Sequence, residues 1–220
     1  MSLSHSFSSI KMFENCPLRY FHQRIAKTVQ DQGGEASIYG ERVHKFIEQR
    51  LLGTTDEEHI EEIKNLEPVI EVIRALAQGG ELGVERQLTL NLSLKPTEWF
   101  AKDAWIRSIL DVSVIQKNAA IVLDWKTGKR RPDWTQLELF ALQVFAHHPE
   151  VNTVSTGFIW TQTLAVDRET YKRADADQLW AKLLSRIRRI EEAEAKNVWP
   201  AKPSGLCRYC PCKDFCQYAK

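Results

Sequence analysis

Ala119-Ala120-Ile121-Val122-Leu123-Asp124-Trp125-Lys126 is an apolar run that ends in an Asp-x-Lys triplet. A run without a polar face is typical of a central strand that is covered on both sides. Strand side chains alternate between the two faces of a sheet, so we expect Asp124 and Lys126 to point one way and Trp125 the other. This stretch predicts the middle strand of a sheet, with an acid and a base together at its end.

A second acid, Asp111, follows the largely apolar segment Trp105–Leu110 and could meet Asp124 across a hairpin. Two converging carboxylates form an oxygen-rich pocket for a divalent cation, and the ammonium of Lys126 could orient a water molecule beside a phosphate. The simpler interpretation is an exposed strand end with an ordinary salt bridge. The triplet alone does not decide between them.

The rest of the chain alternates between segments with helical and with strand patterns. Helical spacing of apolar residues and strand-like alternation predict an α/β sandwich with a mixed sheet. The expected helices are Leu18–Lys27, Ile38–Leu52, Glu57–Gln78, Trp134–Ala146 and Asp175–Lys196, and the expected strands are Val84–Leu92, Trp105–Ile115, Ala119–Leu123, Val151–Trp160 and Leu164–Tyr171.

Composition excludes several classes of protein. The 220 residues are 43% hydrophobic and 27% charged, which is ordinary for a globular protein and excludes disordered and fibrous ones. The net charge is only +1, so any nucleic acid would have to bind a local basic patch. No apolar stretch approaches the roughly 18 residues that span a bilayer, and the first residues lack a secretory signal, so we expect no membrane partner and a cytoplasmic protein.

Five cysteines are distributed unevenly. Four of them lie in the last fourteen residues, and Cys16 stands alone near the amino terminus. In a reducing compartment such a cluster is more typical of metal binding than of disulfides. Cys207-x₂-Cys210 and Cys216 would supply three thiolates, and either Cys212 or Cys16 the fourth. Spacing alone does not decide between these two wirings, one with Cys212 and one with Cys16 as the fourth ligand. It also leaves zinc and an iron–sulfur cluster equally open.

Three further features could take part in chemistry, and each also has a simpler explanation. His44, on the predicted helix after Gly40, is a third metal ligand or a solvent-facing histidine. Gln136 would position water or contact a phosphate, or merely lie at a helix edge. Lys129, Arg130 and Arg131 form a basic cluster after Lys126 that would suit a nucleic-acid backbone, or is solvated surface.

Taken together and in order, these motifs resemble the RecB-like branch of the PD-(D/E)XK nuclease superfamily. The similarity extends to its iron–sulfur exonucleases, including CRISPR-associated and phage proteins. The motifs that resemble the family's are Phe13-x-x-Cys16-Pro17-x-x-Tyr20, Gly40-x-x-Val43-His44, Asp111, Asp124-x-Lys126, Gln136 and Cys207-x₂-Cys210-x₅-Cys216. The chain departs from the family pattern in having Ser108 for a glycine, Phe140 for a tyrosine, and the additional thiol of Cys212.

The resemblance implies a fold and a set of functional residues. The fold would be a restriction-endonuclease-like core, a mixed central sheet flanked by helices, in one nuclease domain over 1–220. A small metal-stapled subdomain of residues 1–30 and 197–220 would join the two chain ends. The implied residues are Asp111, Asp124, Lys126 and Gln136 for catalysis; His44, Asp111 and Asp124 for a divalent cation, with Glu85 a weaker candidate; Cys16, Cys207, Cys210 and Cys216 for a [4Fe-4S] cluster; and Lys129, Arg130, Arg131 and Tyr20 for nucleic-acid contact.

The implied activity is an exonuclease that needs Mn²⁺ or Mg²⁺. It would hydrolyse phosphodiester bonds of single-stranded or frayed DNA in recombination, repair or end processing. One alternative is a non-catalytic nucleic-acid-binding module with a zinc-stapled terminus. Another is the nuclease subunit of a larger helicase or CRISPR adaptation complex, with a helicase or recombination protein as partner.

Overall fold

The computed structural model describes residues 4–31, 33–54 and 63–219. The described chain forms two compact units. Of the described residues, the first comprises Ser4, 34–54 and 63–180, and the second comprises 5–31, Gly33 and 181–219. Of the helices described, none is long and apolar enough to cross a membrane.

The first unit is built on a mixed sheet of five strands, as the sequence predicted. The strands lie in chain order across the sheet, β3 and β4 are parallel, and the other neighbours are antiparallel. The run 119–126 is the middle strand of the five. The strands are β1 (Glu81–Leu90), β2 (Ile106–Ile115), β3 (Ala119–Lys126), β4 (Thr153–Trp160) and β5 (Ala165–Lys172), and the α-helices of the chain are α1 (Phe7–Asn15), α2 (Pro17–Tyr20), α3 (Glu35–Leu52), α4 (Glu67–Ala77), α5 (Trp134–His147) and α6 (Ala176–Lys196).

Helices cover both faces of this sheet and create two hydrophobic cores. Helix α5 packs Leu137, Phe140 and Val144 against one face. Helices α3 and α4 pack residues such as Ile47 and Ile70 against the other face, where they meet Trp125 of β3. Burial of these side chains on both faces is the main stabilising contribution to such a sandwich, and it confirms the α/β class.

The start of α4 differs from the sequence prediction, and the end of α3 agrees with it. For the predicted helix Glu57–Gln78, residues 57–62 lie outside the described residues, and α4 begins at Glu67 with Pro68 in its first turn. Proline is favoured there because its missing N–H would have no partner in the first turn of a helix. Helix α3 ends as predicted at Gly53, which has a φ of 73° and closes the helix in the left-handed conformation.

The alternation of side chains in β1 and β2 is interrupted at Glu85 and Asp111. In β2, Leu110 belongs to the core under α5, whereas Val112 belongs to the core under α3 and α4. Residues two apart share a face in an undisturbed strand. Glu85 and Asp111 are not paired in the β1–β2 register, which passes from Val84–Val112 to Arg86–Leu110, and Glu85 has a φ of 49°, which is uncommon for a residue other than glycine. Such distortions often mark functional sites.

The second unit contains α1, α2, the part of α6 from Ala181 onward and the carboxy-terminal segment. A capping box at Ser6 begins α1. The predicted helix Leu18–Lys27 is α2 followed by a π-helical turn, Phe21–Ile25. Aromatic side chains from both ends of the chain pack together here: Trp199 stacks on Tyr20 with ring centroids 5.9 Å apart.

His5 makes the stability of the second unit dependent on pH. Its side chain is buried, and burial, followed by the nearby Arg24 charge, lowers its pKa to about 4. Between pH 6.5 and 4 the unfolded chain therefore binds more protons than the folded one, so stability is present above pH 6.5 and is lost as the pH falls. We expect wild type to lose about 2 kcal/mol more than His5→Leu between pH 7 and pH 5, measured by urea unfolding. Equal losses would contradict this.

Candidate active site

Three potential metal ligands from three elements meet at the interruption in the sheet. His44 of α3, Glu85 of β1 and Asp111 of β2 each place one ligand atom within 4.8 Å of those of the other two. Nδ1 of His44 lies 3.3 Å from Oδ2 of Asp111. Among the described residues no other group of three or more His, Cys, Asp or Glu meets this criterion. From the sequence, Glu85 was a weaker candidate ligand than Asp124. In the structure Glu85 belongs to this group and Asp124 does not.

A glycine allows α3 to approach the segment after β3 closely. Gly40 lies one turn before His44, and a Cβ at Gly40 would lie 3.0 Å from Oγ1 of Thr127. That spacing is tighter than side chains normally tolerate, so the glycine of the Gly-x-x-Val-His motif has a steric reason. The next turn, with Val43 and Phe46, is anchored in the core and fixes the position of the imidazole.

Asp124, Lys126 and Gln136 form a second group around the end of β3. Nζ of Lys126 lies 2.6 Å from Oδ2 of Asp124. Gln136 of α5 joins the two residues, because its Nε2 donates to Oδ1 of Asp124 at 2.7 Å and its Oε1 accepts from Nζ of Lys126 at 3.0 Å. The amide therefore holds the carboxylate and the ammonium in fixed positions, and in this structure Gln136 contacts these two residues.

A hydrogen bond connects β3 to the metal-ligand group. The N–H of Trp125 donates to Oδ2 of Asp111 at 2.8 Å. The side chain of Trp125 points away from Asp124 and is buried under α3 and α4, as strand alternation predicted. Asp111 is thus fixed between β3 and the imidazole of His44.

Burial and mutual repulsion raise the pKa of the carboxyl groups at this site. Burial is the largest cause for Asp111, and the charge of Asp124 adds to it. The pKa of Glu85 is raised by burial and by the charges of Glu48 and Asp124. Burial also raises the pKa of Asp124, against the opposing effect of Lys126, and lowers the pKa of His44. Partly desolvated carboxylates facing a neutral imidazole fit a divalent cation, which would offset both burial and repulsion.

The sequence that contains these residues matches the model of a known protein family. The model of the PD-(D/E)XK nuclease superfamily matches residues 4–217 of the 220 in the chain. The chain belongs to the PD-(D/E)XK nuclease superfamily. That Asp111 and Asp124-x-Lys126 are the acid and the Asp-x-Lys signature of this superfamily stays a prediction from the resemblance.

Solved structures agree with this fold. A candidate exonuclease from Eubacterium rectale superimposes with a TM-score of 0.57 at 15% identity, over 94% of this chain and 87% of that one. SSO0001 superimposes with a TM-score of 0.46 at 14% identity, over 100% of this chain and 89% of that one. LHK-Exo in complex with dAMP superimposes with a TM-score of 0.30 at 13% identity, over 86% of this chain and 95% of that one. Of these three, only the first has a TM-score high enough to support the shared fold. No curated protein matches the sequence.

The residues predicted to contact nucleic acid lie in different environments. Lys129, Arg130 and Arg131 are exposed, but Arg130 donates to both carboxylate oxygens of Asp167, at 3.0 and 2.5 Å. Tyr20 has no exposed surface, so the structure places it in the interior of the second unit and not on a nucleic-acid-binding surface. Its apolar ring contributes to the aromatic packing there.

Phe140, which replaces the family's tyrosine, lies in the hydrophobic core under α5 and is almost fully buried. A tyrosine hydroxyl at this depth would need a hydrogen-bond partner, and a phenyl ring does not. The substitution is therefore compatible with a well-packed core.

All five cysteines line one cavity of the second unit. The cavity has a volume of about 280 Å³ and lies between Cys16 and the carboxy-terminal segment. Cys212 is buried, and burial together with the neighbouring Cys210 raises the pKa of its thiol to about 11. No three cysteine sulfurs lie within 4.8 Å of one another in the chain as described. The choice between Cys16 and Cys212 as fourth ligand stays a prediction.

Replacing Gln136 tests its positioning role. We expect Gln136→Leu to lower kcat roughly 10- to 100-fold, because Asp124 and Lys126 each lose a charge-assisted hydrogen bond. The melting temperature should also fall, because the buried Asp124 carboxylate loses a hydrogen bond, so kcat is the measurement that separates this variant from its control. Gln143→Leu on the same helix is the matched control, because Gln143 is buried and donates only to Ile106 O and Ser108 Oγ. That variant should lower stability and leave kcat unchanged; the opposite pattern would contradict the assignment.

Proposed function

We propose that this superfamily member is a metal-dependent DNA exonuclease that hydrolyses phosphodiester bonds of single-stranded or frayed DNA in recombination, repair or end processing. The observation that carries the proposal is the meeting of His44, Glu85 and Asp111 beside the Asp124–Lys126 pair. The ligand group would bind a cation, and the ammonium of Lys126 would place a positive charge beside the reacting phosphate. An ordinary surface salt bridge would require neither the ligand group nor this placement of the ammonium.

The donor set favours Mn²⁺ or Mg²⁺. Carboxylate oxygens suit both ions, and an imidazole ligand favours Mn²⁺ over Mg²⁺. His44, Asp111 and Glu85 would hold the ion, with Asp124 as a further ligand on release from Lys126. A bound divalent cation lowers the pKa of water and neutralises charge on a phosphate.

Lys126 is placed to orient the attacking water or to contact the phosphate. Its ammonium lies between the Asp124 carboxylate and the Phe158 ring, 5.0 Å from the ring centroid. Gln136 limits its movement through the bond to Oε1. Lys126 would therefore present its charge in a defined direction, which is the condition for stabilising charge that develops on the phosphate.

An open groove supports access by a flexible strand. It has a volume of about 410 Å³ and is lined by Gly40, Glu41, His44, Lys45, Glu48, Glu85, Ile109 and Asp111. The exposed Lys129 and Arg131 follow Lys126 in the chain and could bind backbone phosphates. Preference for single strands or frayed ends is part of the proposal.

The cysteine cavity supports a structural [4Fe-4S] cluster held by Cys16, Cys207, Cys210 and Cys216, with zinc as the alternative. Soft thiolates suit either. The supporting observation is that all five cysteines line the same cavity of about 280 Å³. With such a group bound, residues 1–30 and 197–220 would act as a metal-stapled subdomain.

Degradation of end-labelled DNA tests the proposed function. Single- and double-stranded oligonucleotides, labelled at either end, are incubated with the purified protein in Mn²⁺, Mg²⁺ or EDTA. We expect stepwise loss from an end, faster for single strands and absent in EDTA. Binding without degradation would instead favour a non-catalytic module, and a co-purifying helicase would favour a subunit of a larger complex. Cleavage in EDTA would overturn the metal-dependent mechanism.

A further inference from the structure

Three side chains of β2 lie in a row that leads away from the metal-ligand group. Arg107, Ile109 and Asp111 are two residues apart and share a face, while the residues between them are buried under α5. Ile109 and Asp111 line the same groove, and Ile109 is 41% exposed. Arg107 is thus the next side chain along this surface.

Arg107 is fixed but electrostatically unsatisfied. Its guanidinium lies over the Trp99 ring, 5.3 Å from the centroid, in the connection between β1 and β2. No described carboxylate lies within 4.0 Å of it, and its Nε is buried without a hydrogen-bond partner. Thr89, directly opposite on β1, has a buried Oγ1 that likewise lacks a partner among the described residues. Buried polar groups are normally satisfied, so the guanidinium of Arg107 keeps hydrogen-bonding capacity that the described residues do not use.

The groove itself is acidic, so a positively charged side chain next to it would offset the repulsion of an anionic strand. Of its charged residues, Glu41, Glu48, Glu85 and Asp111 are acids, and the ammonium of Lys45 is paired with Glu48 at 2.9 Å. A polyanionic strand entering this groove would be repelled wherever no cation is present. Arg107 supplies, at the end of the same row, a positive charge that no described carboxylate pairs with.

We propose that Arg107 binds a backbone phosphate of the strand that is cut at the His44–Glu85–Asp111 group. This inference rests on the proposed function and names how its substrate is held. Asp111 lies four positions after Arg107, a distance of about 13 Å in a strand, so the bound phosphate lies further along the nucleic-acid strand than the scissile one. Trp99 holds the planar guanidinium in place, which favours an arginine over a lysine here.

Substrate binding and substrate length test the proposal. Wild type, Arg107→Ala and Arg107→Lys are compared on a long single-stranded oligonucleotide and on the p-nitrophenyl ester of thymidine 5′-monophosphate, which is too short to reach Arg107. Arg168→Ala is the control, because it removes an exposed arginine from β5, the opposite edge of the sheet. Affinity for the oligonucleotide is also measured in EDTA over a range of salt.

For Arg107→Ala we expect about tenfold weaker affinity and higher KM on the oligonucleotide, with kcat nearly unchanged. The slope of log affinity against log salt should fall by about 0.7, the value for one phosphate contact of a single strand. The short ester should be cut as by wild type, and Arg107→Lys should keep the slope. Equal behaviour of Arg107→Ala and Arg168→Ala, or an equal loss on the short ester, overturns the proposal. If the wild type binds DNA normally but does not cleave it, the proposed function is overturned and the phosphate contact of Arg107 is not.

Discussion

Asp111→Asn should lower DNA hydrolysis at least about 10³-fold, because a site that loses a cation ligand forfeits several kcal/mol of charge stabilisation. Asparagine has the same shape, and its side-chain oxygen can still accept the hydrogen bond from the Trp125 N–H. The fold should therefore remain intact. Initial rates on end-labelled DNA, with circular dichroism to check the fold, measure the effect.

A thermal shift separates the loss of the cation from a change in the protein alone. Mn²⁺ should raise the melting temperature of wild type and leave that of Asp111→Asn unchanged. Without metal the variant should be as stable as wild type or more stable, because a buried carboxyl with a raised pKa has been removed. Glu41→Gln is the matched control, since Glu41 lines the same groove but is exposed and lies outside the ligand group. Wild-type rates for Asp111→Asn would refute the site.

Cys16→Ala should abolish metal binding by the second unit and lower its stability more than any other single substitution considered. Structural metal sites of this kind contribute on the order of 10 kcal/mol to folding. The cysteines near the carboxy terminus would lose Cys16 as a partner, and contacts such as the stack of Trp199 on Tyr20 and the ion pair of Arg186 with Glu14 would remain. Iron, acid-labile sulfide and zinc in the purified proteins are the quantities to measure.

Cys212→Ala distinguishes the two wirings. If Cys16 is the fourth ligand, Cys212→Ala should keep a full complement of metal and lose only some packing, since Cys212 is buried. Retention of metal by Cys16→Ala together with its loss from Cys212→Ala would establish the local wiring instead. Stoichiometric zinc without iron would rule out the iron–sulfur cluster.

The sheet was predictable from local pattern. The apolar run Ala119–Leu123 has no polar face, and only a middle strand buries both of its faces, so its place in the sheet follows from the hydrophobic effect. The alternation that separates Asp124 and Lys126 from Trp125 is a property of the strand backbone, and the structure has it. Helix α5 was predicted to within one residue because its apolar positions repeat strongly along the sequence.

The site was predictable only in part. Motif order pointed to His44, Asp111, Asp124, Lys126 and Gln136, and the structure places His44 beside Asp111 and the other three together. The sequence could not show that Gln136 bridges Asp124 and Lys126, because side-chain hydrogen bonds between a strand and a helix depend on how the two elements pack.

The order of the elements, the middle strand and the Asp-x-Lys pair follow from the sequence, because they depend on local propensity and on the period of burial. The packing of distant segments causes the break in alternation at Glu85 and Asp111, which adds Glu85 to the ligand group. The same packing buries Tyr20 and leaves Nε of Arg107 without a hydrogen-bond partner among the described residues. These properties depend on which distant residues meet, and neither spacing nor composition records such long-range contacts.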